Sequence, residues 1–164
     1  MTMEIIWEEI HDASMIDAWM SERDKTNLCM QKKNWQETAF DIEECLKFMK
    51  KSAFVNKLGY IEGEPALAIM FGIENKGTIL NLYNIIVAPR FRNQGICKKT
   101  LKMLLSDNSK LNIPSSVQQI TVSALPENDA ISHIMAELNF SPMGKNDEFN
   151  VFKKHRNNEP TLAM

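Results

Sequence analysis

The chain has 164 residues, of which 44% are hydrophobic and 24% are charged, and its formal net charge at pH 7 is −2. This length favours a single domain, because two independent cores would each be small. The nearly balanced charge argues against a nucleic-acid partner, which would need clustered Lys and Arg. Three cysteines without paired spacing argue against a disulfide framework and predict a cytoplasmic location. No segment has the length and apolarity of a membrane span.

The first fifty residues predict a strand and two helices. The strand runs from Glu4 to Ile10, and the first helix begins at Asp12 or Ser14, with its apolar stripe at Met15, Ile16, Trp19 and Met20. Residues 24–37 predict an ordered loop or a short helical turn. The second helix begins near Asp41, where the acidic residues have the spacing of a capping box.

The middle of the chain predicts antiparallel hairpins. Strands are expected at 58–61, 66–73 and 79–87, with turns at 62–65 and 75–77. The third strand is almost wholly apolar, which suits a strand that is covered on both faces, and the proline that follows ends it.

After Gly95 the hydrophobic period becomes helical, with apolar or small residues at Ile96, Thr100, Leu101, Leu104 and Leu105. This helix is expected to end between residues 106 and 112. A strand at 119–124, a helix that opens at Asn128 and a strand at 149–152 complete the domain, which we place at residues 1–154. Residues 155–164 have little to bury and predict a mobile tail. The elements together predict an α/β fold, with a mixed, largely antiparallel central sheet and helices on both faces.

The junction between the third hairpin strand and the next helix predicts an anion site. Gly95 lies in the first turn of that helix, where amide groups lack carbonyl partners and the helix dipole is positive. A phosphate group fits such a terminus. An ordinary turn between a strand and a helix is the alternative explanation of this loop alone.

Two signatures in this region resemble the GNAT N-acetyltransferase superfamily. That family has Arg/Gln-x-x-Gly-x-Gly/Ala after a Val-x-Pro strand end, and the chain reads Arg92-Asn93-Gln94-Gly95-Ile96-Cys97 after Val87-Ala88-Pro89. Downstream, Asn128-x-x-Ile131-x-x-Ile134-Met135-x-x-Leu138-Asn139-Phe140 has the spacing of the family's Asn-x-x-Ala-x-x-Leu-Tyr-x-x-x-Gly-Phe. The resemblance covers residues from about 54 to 154 and implies a single GNAT-like domain.

The resemblance implies acetyl-CoA as cosubstrate, and no metal is expected. The backbone amides of Asn93, Gln94, Gly95, Ile96, Cys97 and Lys98 would bind the pyrophosphate. The irregular strand end at Ile85, Ile86 and Val87 would pair with the pantetheine arm, which Asn128 would also contact. Two alternatives stay open: Arg92 either contacts phosphate or is solvent-exposed, and Lys98 or Lys99 either meets the 3′-phosphate or belongs to a solvated helix face.

The residues for proton transfer depart from the family pattern. Met135 replaces the Tyr that protonates the departing thiolate, so Met135 is interpreted as a packing residue, and Ser132 or an ordered water would substitute. Tyr83 and Ser123 occupy the places where family members often have a carboxylate base. Neither is a convincing base at neutral pH, so a water chain or a residue from the first fifty is an alternative.

The sequence thus predicts an N-acyltransferase that moves an acetyl group from acetyl-CoA to a primary amine by direct attack in a ternary complex. The acceptor, a small molecule or a peptide, would bind between the first two helices and the hairpins, near Trp19, Trp35 and Tyr60. A homodimer is one assembly compatible with the sequence. The alternative function is a catalytically weakened module that binds or senses acyl-CoA.

Overall fold

The structure is a computed structural model, and it describes residues 4–10, 13–19, 55–106, 110–124, 129–146 and 149–156. The side chains of residues 13, 83, 84, 146 and 149 are not part of this description. The predicted loop at 24–37, the predicted helix near Asp41 and the residues Trp35 and Asn128 lie outside the described ranges.

The described chain forms one sheet with three α-helices. In chain order the elements are β1 (Ile6–Glu9), α1 (Ala13–Ala18), β2 (Val55–Ile61), β3 (Glu64–Glu74), β4 (Ile79–Val87), a 3₁₀ helix (Pro89–Phe91), α2 (Ile96–Leu105), β5 (Gln119–Ala124), α3 (Asp129–Glu137), β6 (Ser141–Asn146) and β7 (Phe149–His155). The strand order is β1-β2-β3-β4-β5-β7-β6, and every neighbouring pair is antiparallel except β4 with β5. The predicted mixed, largely antiparallel sheet is confirmed.

Helices α2 and α3 cover one face of this sheet. The five positions that predicted α2 are all buried. Leu101 and Leu104 of α2 share a core cluster with Met135 of α3 and with Leu80 and Ile120 of the sheet. The amphipathic stripe of α2 therefore sets how the helix sits on β4 and β5, and with it the position of the helix N-terminus.

The opposite face of the sheet is covered as well. Side chains alternate along a strand, so Ala68 and Met70 of β3 point away from Ile69 and Phe71. All four residues are at most 1% exposed. Burial on both faces explains why β3 reads as a continuous apolar run.

The C-terminal part differs from the sequence prediction in two places. Strand β6 was not predicted, and β7 is three residues longer than the predicted strand at 149–152. The structure also describes two residues beyond the predicted boundary at Lys154. His155 still belongs to β7, and Arg156 is buried and donates from Nε to Leu104 O at 2.7 Å.

None of the helices in the described ranges has the length and apolarity needed to cross a membrane.

Candidate active site

Strands β4 and β5 pair over only part of their lengths. The parallel ladder joins Ile79 to Gln119 and ends where Leu82 is opposite Val122. Strand β4 continues to Val87, and β5 continues to Ala124 with β7 as its partner. The sheet therefore opens between β4 and β5 beyond this last pair, which leaves one edge of β4 without a ladder partner in the described structure.

A β-bulge marks the same point on the other side of β4. Leu82 is opposite Phe71 of β3, whereas Asn84 is opposite Met70, so Tyr83 is an additional residue in β4. Bulges bend a strand and redirect its groups, and they are common beside active sites. This bulge coincides with the end of the β4–β5 ladder.

The backbone beyond the bulge alternates between the two sides of β4. The Ala88 amide donates to Ala66 O at 2.8 Å, so Ala88 faces β3. By alternation Ile86 also faces β3, while the backbone groups of Ile85 and Val87 face the opening. Of the three strand residues predicted to pair with a pantetheine arm, two therefore present polar backbone groups to the opening.

The loop after β4 leads directly to the N-terminus of α2. Asn93 and Gly95 have φ of 62° and 75°, and Gly95 occupies the N-cap without a side-chain cap. The first helical hydrogen bond runs from Lys99 N to Gly95 O at 2.9 Å. The amides of Ile96, Cys97 and Lys98 come before Lys99 in the chain, so they have no carbonyl partner within the helix.

Space for a ligand exists at this N-cap. A Cβ atom built on Gly95 would meet no heavy atom within 4 Å. Free amides, the positive end of the dipole and open space together fit a diphosphate group. We refer to residues 93–98 as the anion loop.

The Arg92 side chain contacts two other segments of the protein. Its side chain is partly buried and donates from Nε to Val87 O at 3.0 Å and from Nη2 to Trp19 O. This guanidinium thus binds two backbone carbonyls, at the ends of β4 and α1. Sequence reasoning missed this because Trp19 lies 73 residues away in the chain.

Two other polar side chains of the loop region have protein partners. Lys98 Nζ lies 3.2 Å from Glu137 Oε2, which joins α2 to α3. Gln94 donates from Nε2 to Arg90 O at 3.0 Å, which braces the loop. Gln94 and Lys98 therefore each have a protein partner in this structure.

Cys97 is partly buried and packs against the main core. Burial raises the pKa of its thiol from 9.0 to about 11. The thiol is therefore protonated at neutral pH and is a poor nucleophile.

The candidate proton-transfer residues are placed unequally. Tyr83 and Ser123 each directly follow a member of the last β4–β5 pair, so their backbones flank the opening from opposite strands. Ser123 is partly buried and is opposite Val151 of β7. Ser132 lies partly buried on α3, one turn before Met135. Met135 is 0% exposed within the main core, which confirms that it is a packing residue.

Neither family models nor curated proteins yield a sequence match to this chain. Solved structures match its fold. A domain from Methanocaldococcus jannaschii has a TM-score of 0.68 at 12% identity, covering 94% of this chain and 99% of that one. The ribosomal-protein-S18-alanine N-acetyltransferase from Escherichia coli has a TM-score of 0.61 at 11% identity, covering 98% and 99%. RimJ of Mycobacterium smegmatis in complex with CoA-disulfide has a TM-score of 0.60 at 14% identity, covering 92% and 81%.

At these identities the likeness is one of fold. The chain has the fold of the GNAT acetyltransferases, as its two signatures predicted.

Proposed function

We propose that this protein is an acetyl-CoA-dependent N-acetyltransferase that acts on a primary amine by direct transfer in a ternary complex. The observation that carries the proposal is the continuity of the opening beside β4 with the anion loop at the start of α2. One surface thereby offers backbone groups for an extended arm and amides for a diphosphate.

Binding would rest on main-chain groups. The amides of the anion loop hold the diphosphate of acetyl-CoA, and the backbone of Ile85 and the amide of Val87 pair with the pantetheine arm along the open edge of β4. The bound thioester supplies the activated acetyl group. Ile86 supports this edge through its pairing with Ala68 of β3.

The rate enhancement would come chiefly from alignment. Holding a thioester and an amine in reactive register supplies on the order of 7–11 kcal/mol. A β4 amide that faces the opening is the natural donor to the developing oxyanion, and such a donor is typically worth about 2.7–4 kcal/mol. Proton transfer is the smaller remaining contribution.

The state of Cys97 argues against a covalent acetyl-enzyme at this residue. A thiol whose pKa is about 11 is almost wholly protonated near pH 7, so it does not attack a thioester readily. Among the described residues, Cys97 is the one cysteine.

Proton transfer would not involve Met135. A thiolate resembling free cysteine, with a pKa of about 8.5, leaves unprotonated near neutral pH at a cost on the order of 1–2 kcal/mol. Ser132 or a water could reduce this cost. On the amine side, Tyr83 and Ser123 flank the opening and would orient the acceptor or a water that removes its proton.

The test is release of free CoA thiol from acetyl-CoA in the presence of amines. The panel comprises spermidine, a free amino acid, an aminoglycoside and a short peptide with an N-terminal alanine. We expect amine-dependent thiol release above the hydrolysis rate for at least one class, with the acetyl group recovered on that amine by mass spectrometry.

The full burial of Met135, where the family pattern has a catalytic Tyr, favours a second candidate function. In that case the protein is an acyl-CoA-binding module that has lost its chemistry. It would bind acetyl-CoA with the same loop yet release no thiol with any amine of the panel, which separates it from the enzyme.

A further inference from the structure

Three parts of the proposed site meet at one side chain. Arg92 Nε donates to Val87 O at 3.0 Å, on the open edge of β4, and Nη2 donates to the backbone carbonyl of Trp19. In the sequence, Arg92 is the residue immediately before the anion loop. Arg92 thereby connects the strand edge, the anion loop and the end of α1.

The end of α1 has a physical need for this contact. Helix α1 spans six residues, and helices this short are marginal without tertiary support. The Trp19 amide bonds to Ile16 O at 3.1 Å, which places the Trp19 carbonyl at the C-terminal end of the helix. A cation at a helix C-terminus is favourable, so the guanidinium both donates to this carbonyl and complements the dipole.

Because the guanidinium is rigid, the hydrogen bond from Arg92 to Trp19 depends on the position of the anion loop. Its donors lie in a fixed planar fork, so a shift of Val87 or of the loop backbone displaces the donor to Trp19. A ligand that immobilises the anion loop would also immobilise this fork. The ordering of α1 would then cost less once that ligand is bound, which is positive coupling without a large structural change.

We propose that Arg92 is a positioning residue that couples occupancy of the anion loop to the order of α1. The inference rests on the proposed function, in which the ligand of the loop is acetyl-CoA.

Amide hydrogen exchange of the full-length protein, with and without saturating CoA, tests the proposal. In the wild type, CoA slows exchange both in the anion loop and at residues 13–19. Arg92→Ala keeps the protection of the loop and loses that of residues 13–19. Arg92→Lys keeps the charge but lacks the fork that spans two carbonyls, so it also loses the response of α1, and it serves if Arg92→Ala fails to fold.

Arg90→Ala is the matched control. Arg90 belongs to the same connection but is 71% exposed, pairs with Glu64 and lies 5.4 Å from the centre of the Phe91 ring. This variant should retain the response of residues 13–19 to CoA.

Three results overturn the coupling. The first is that CoA protects α1 equally in the wild type and in both Arg92 variants. The second is that CoA does not protect α1 in the wild type. The third is that Arg92→Lys no longer binds CoA. The last would make Arg92 a phosphate contact. Absence of CoA binding to the wild type by calorimetry is a different result, because it refutes the proposed function itself.

Discussion

At the scale of single residues, two opposing effects act on the Cys97 thiol. The N-terminal turn of a helix lowers a thiol pKa, whereas removal from water raises it. Cys97 lies second in α2, and its burial raises the pKa to about 11. The residue at the place of the small Gly or Ala of the GNAT pattern is thus an inert packing group within the anion loop.

The raised pKa of Cys97 has a consequence for stability. Between about pH 9 and pH 11 the unfolded thiol has lost its proton while the folded thiol retains it, so the free energy of unfolding falls as pH rises through this window. Urea unfolding of wild type and Cys97→Ala at several pH values measures the effect. The wild type should lose more stability than the variant between pH 9 and 11, and a difference that is constant with pH would contradict the expectation.

At the scale of secondary structure, Asn139 terminates α3 in a left-handed conformation, with φ of 61°. The Asn139 amide bonds to Ala136 O at 3.1 Å and the Phe140 amide to Met135 O at 2.9 Å, which together form a Schellman motif. Asn tolerates this conformation better than other residues with a Cβ. The departure from the family's Gly at this position is therefore compatible with the same turn.

Substitution of Asn139 tests this explanation. Asn139→Ala should lower the free energy of unfolding by about 1 kcal/mol, because alanine is strained at positive φ. Asn139→Gly, the matched variant, should leave the free energy unchanged or raise it. Equal destabilisation by the two substitutions in urea unfolding would indicate that the Asn139 side chain, not its backbone conformation, matters.

The elements that could be predicted from sequence are those whose pattern is local. Strands β4 and β5 occupy the predicted residues 79–87 and 119–124, because apolar runs bounded by turn residues specify them. Strand β6 contains Pro142 and Gly144, both unfavourable in strands, and it forms at the sheet edge through pairing with β7. That pairing is a tertiary effect, and the sequence of β6 alone does not indicate it.

The candidate site shows the same division. The turn at Gly95 and the helix after it follow from local sequence, so the position of this helix N-terminus was predictable. The end of the β4–β5 ladder and the bulge at Tyr83 depend on register between strands, and only the family resemblance suggested them. The contacts of Arg92 and of Lys98 join distant segments, so no local pattern could indicate them.

At the scale of the whole molecule, Arg156 fixes the far end of α2. It is 4% exposed, and its guanidinium donates to Leu104 O at 2.7 Å and to the carbonyls of Pro114 and Val117 at 3.4 Å. The residue after β7 thus anchors the C-terminus of the helix whose N-terminus carries the anion loop. The predicted tail that began at 155 therefore contains a structural residue.

Loss of Arg156 should destabilise the whole domain. Arg156→Met keeps the approximate length but leaves buried carbonyls without their donor, at a cost of about 2–3 kcal/mol in the free energy of unfolding. His155→Ala, at the exposed neighbouring position, should change it by less than about 0.5 kcal/mol. Similar urea midpoints for Arg156→Met and the wild type would show that these hydrogen bonds add little.

The proposed function requires that the anion loop at Gly95 binds the diphosphate of acetyl-CoA. Gly95→Glu places a bulky anion in the open space at the N-cap, and Gly63→Glu is its control. Gly63 also has a positive φ, of 80°, and an equally open Cβ direction, but it lies in the turn between β2 and β3. The two variants therefore have comparable backbone strain and equal added charge.

Calorimetric titration with acetyl-CoA compares the three proteins. We expect saturable binding to the wild type and to Gly63→Glu, and loss of binding in Gly95→Glu. Absence of binding to the wild type, or binding to Gly95→Glu with wild-type affinity, would contradict that expectation.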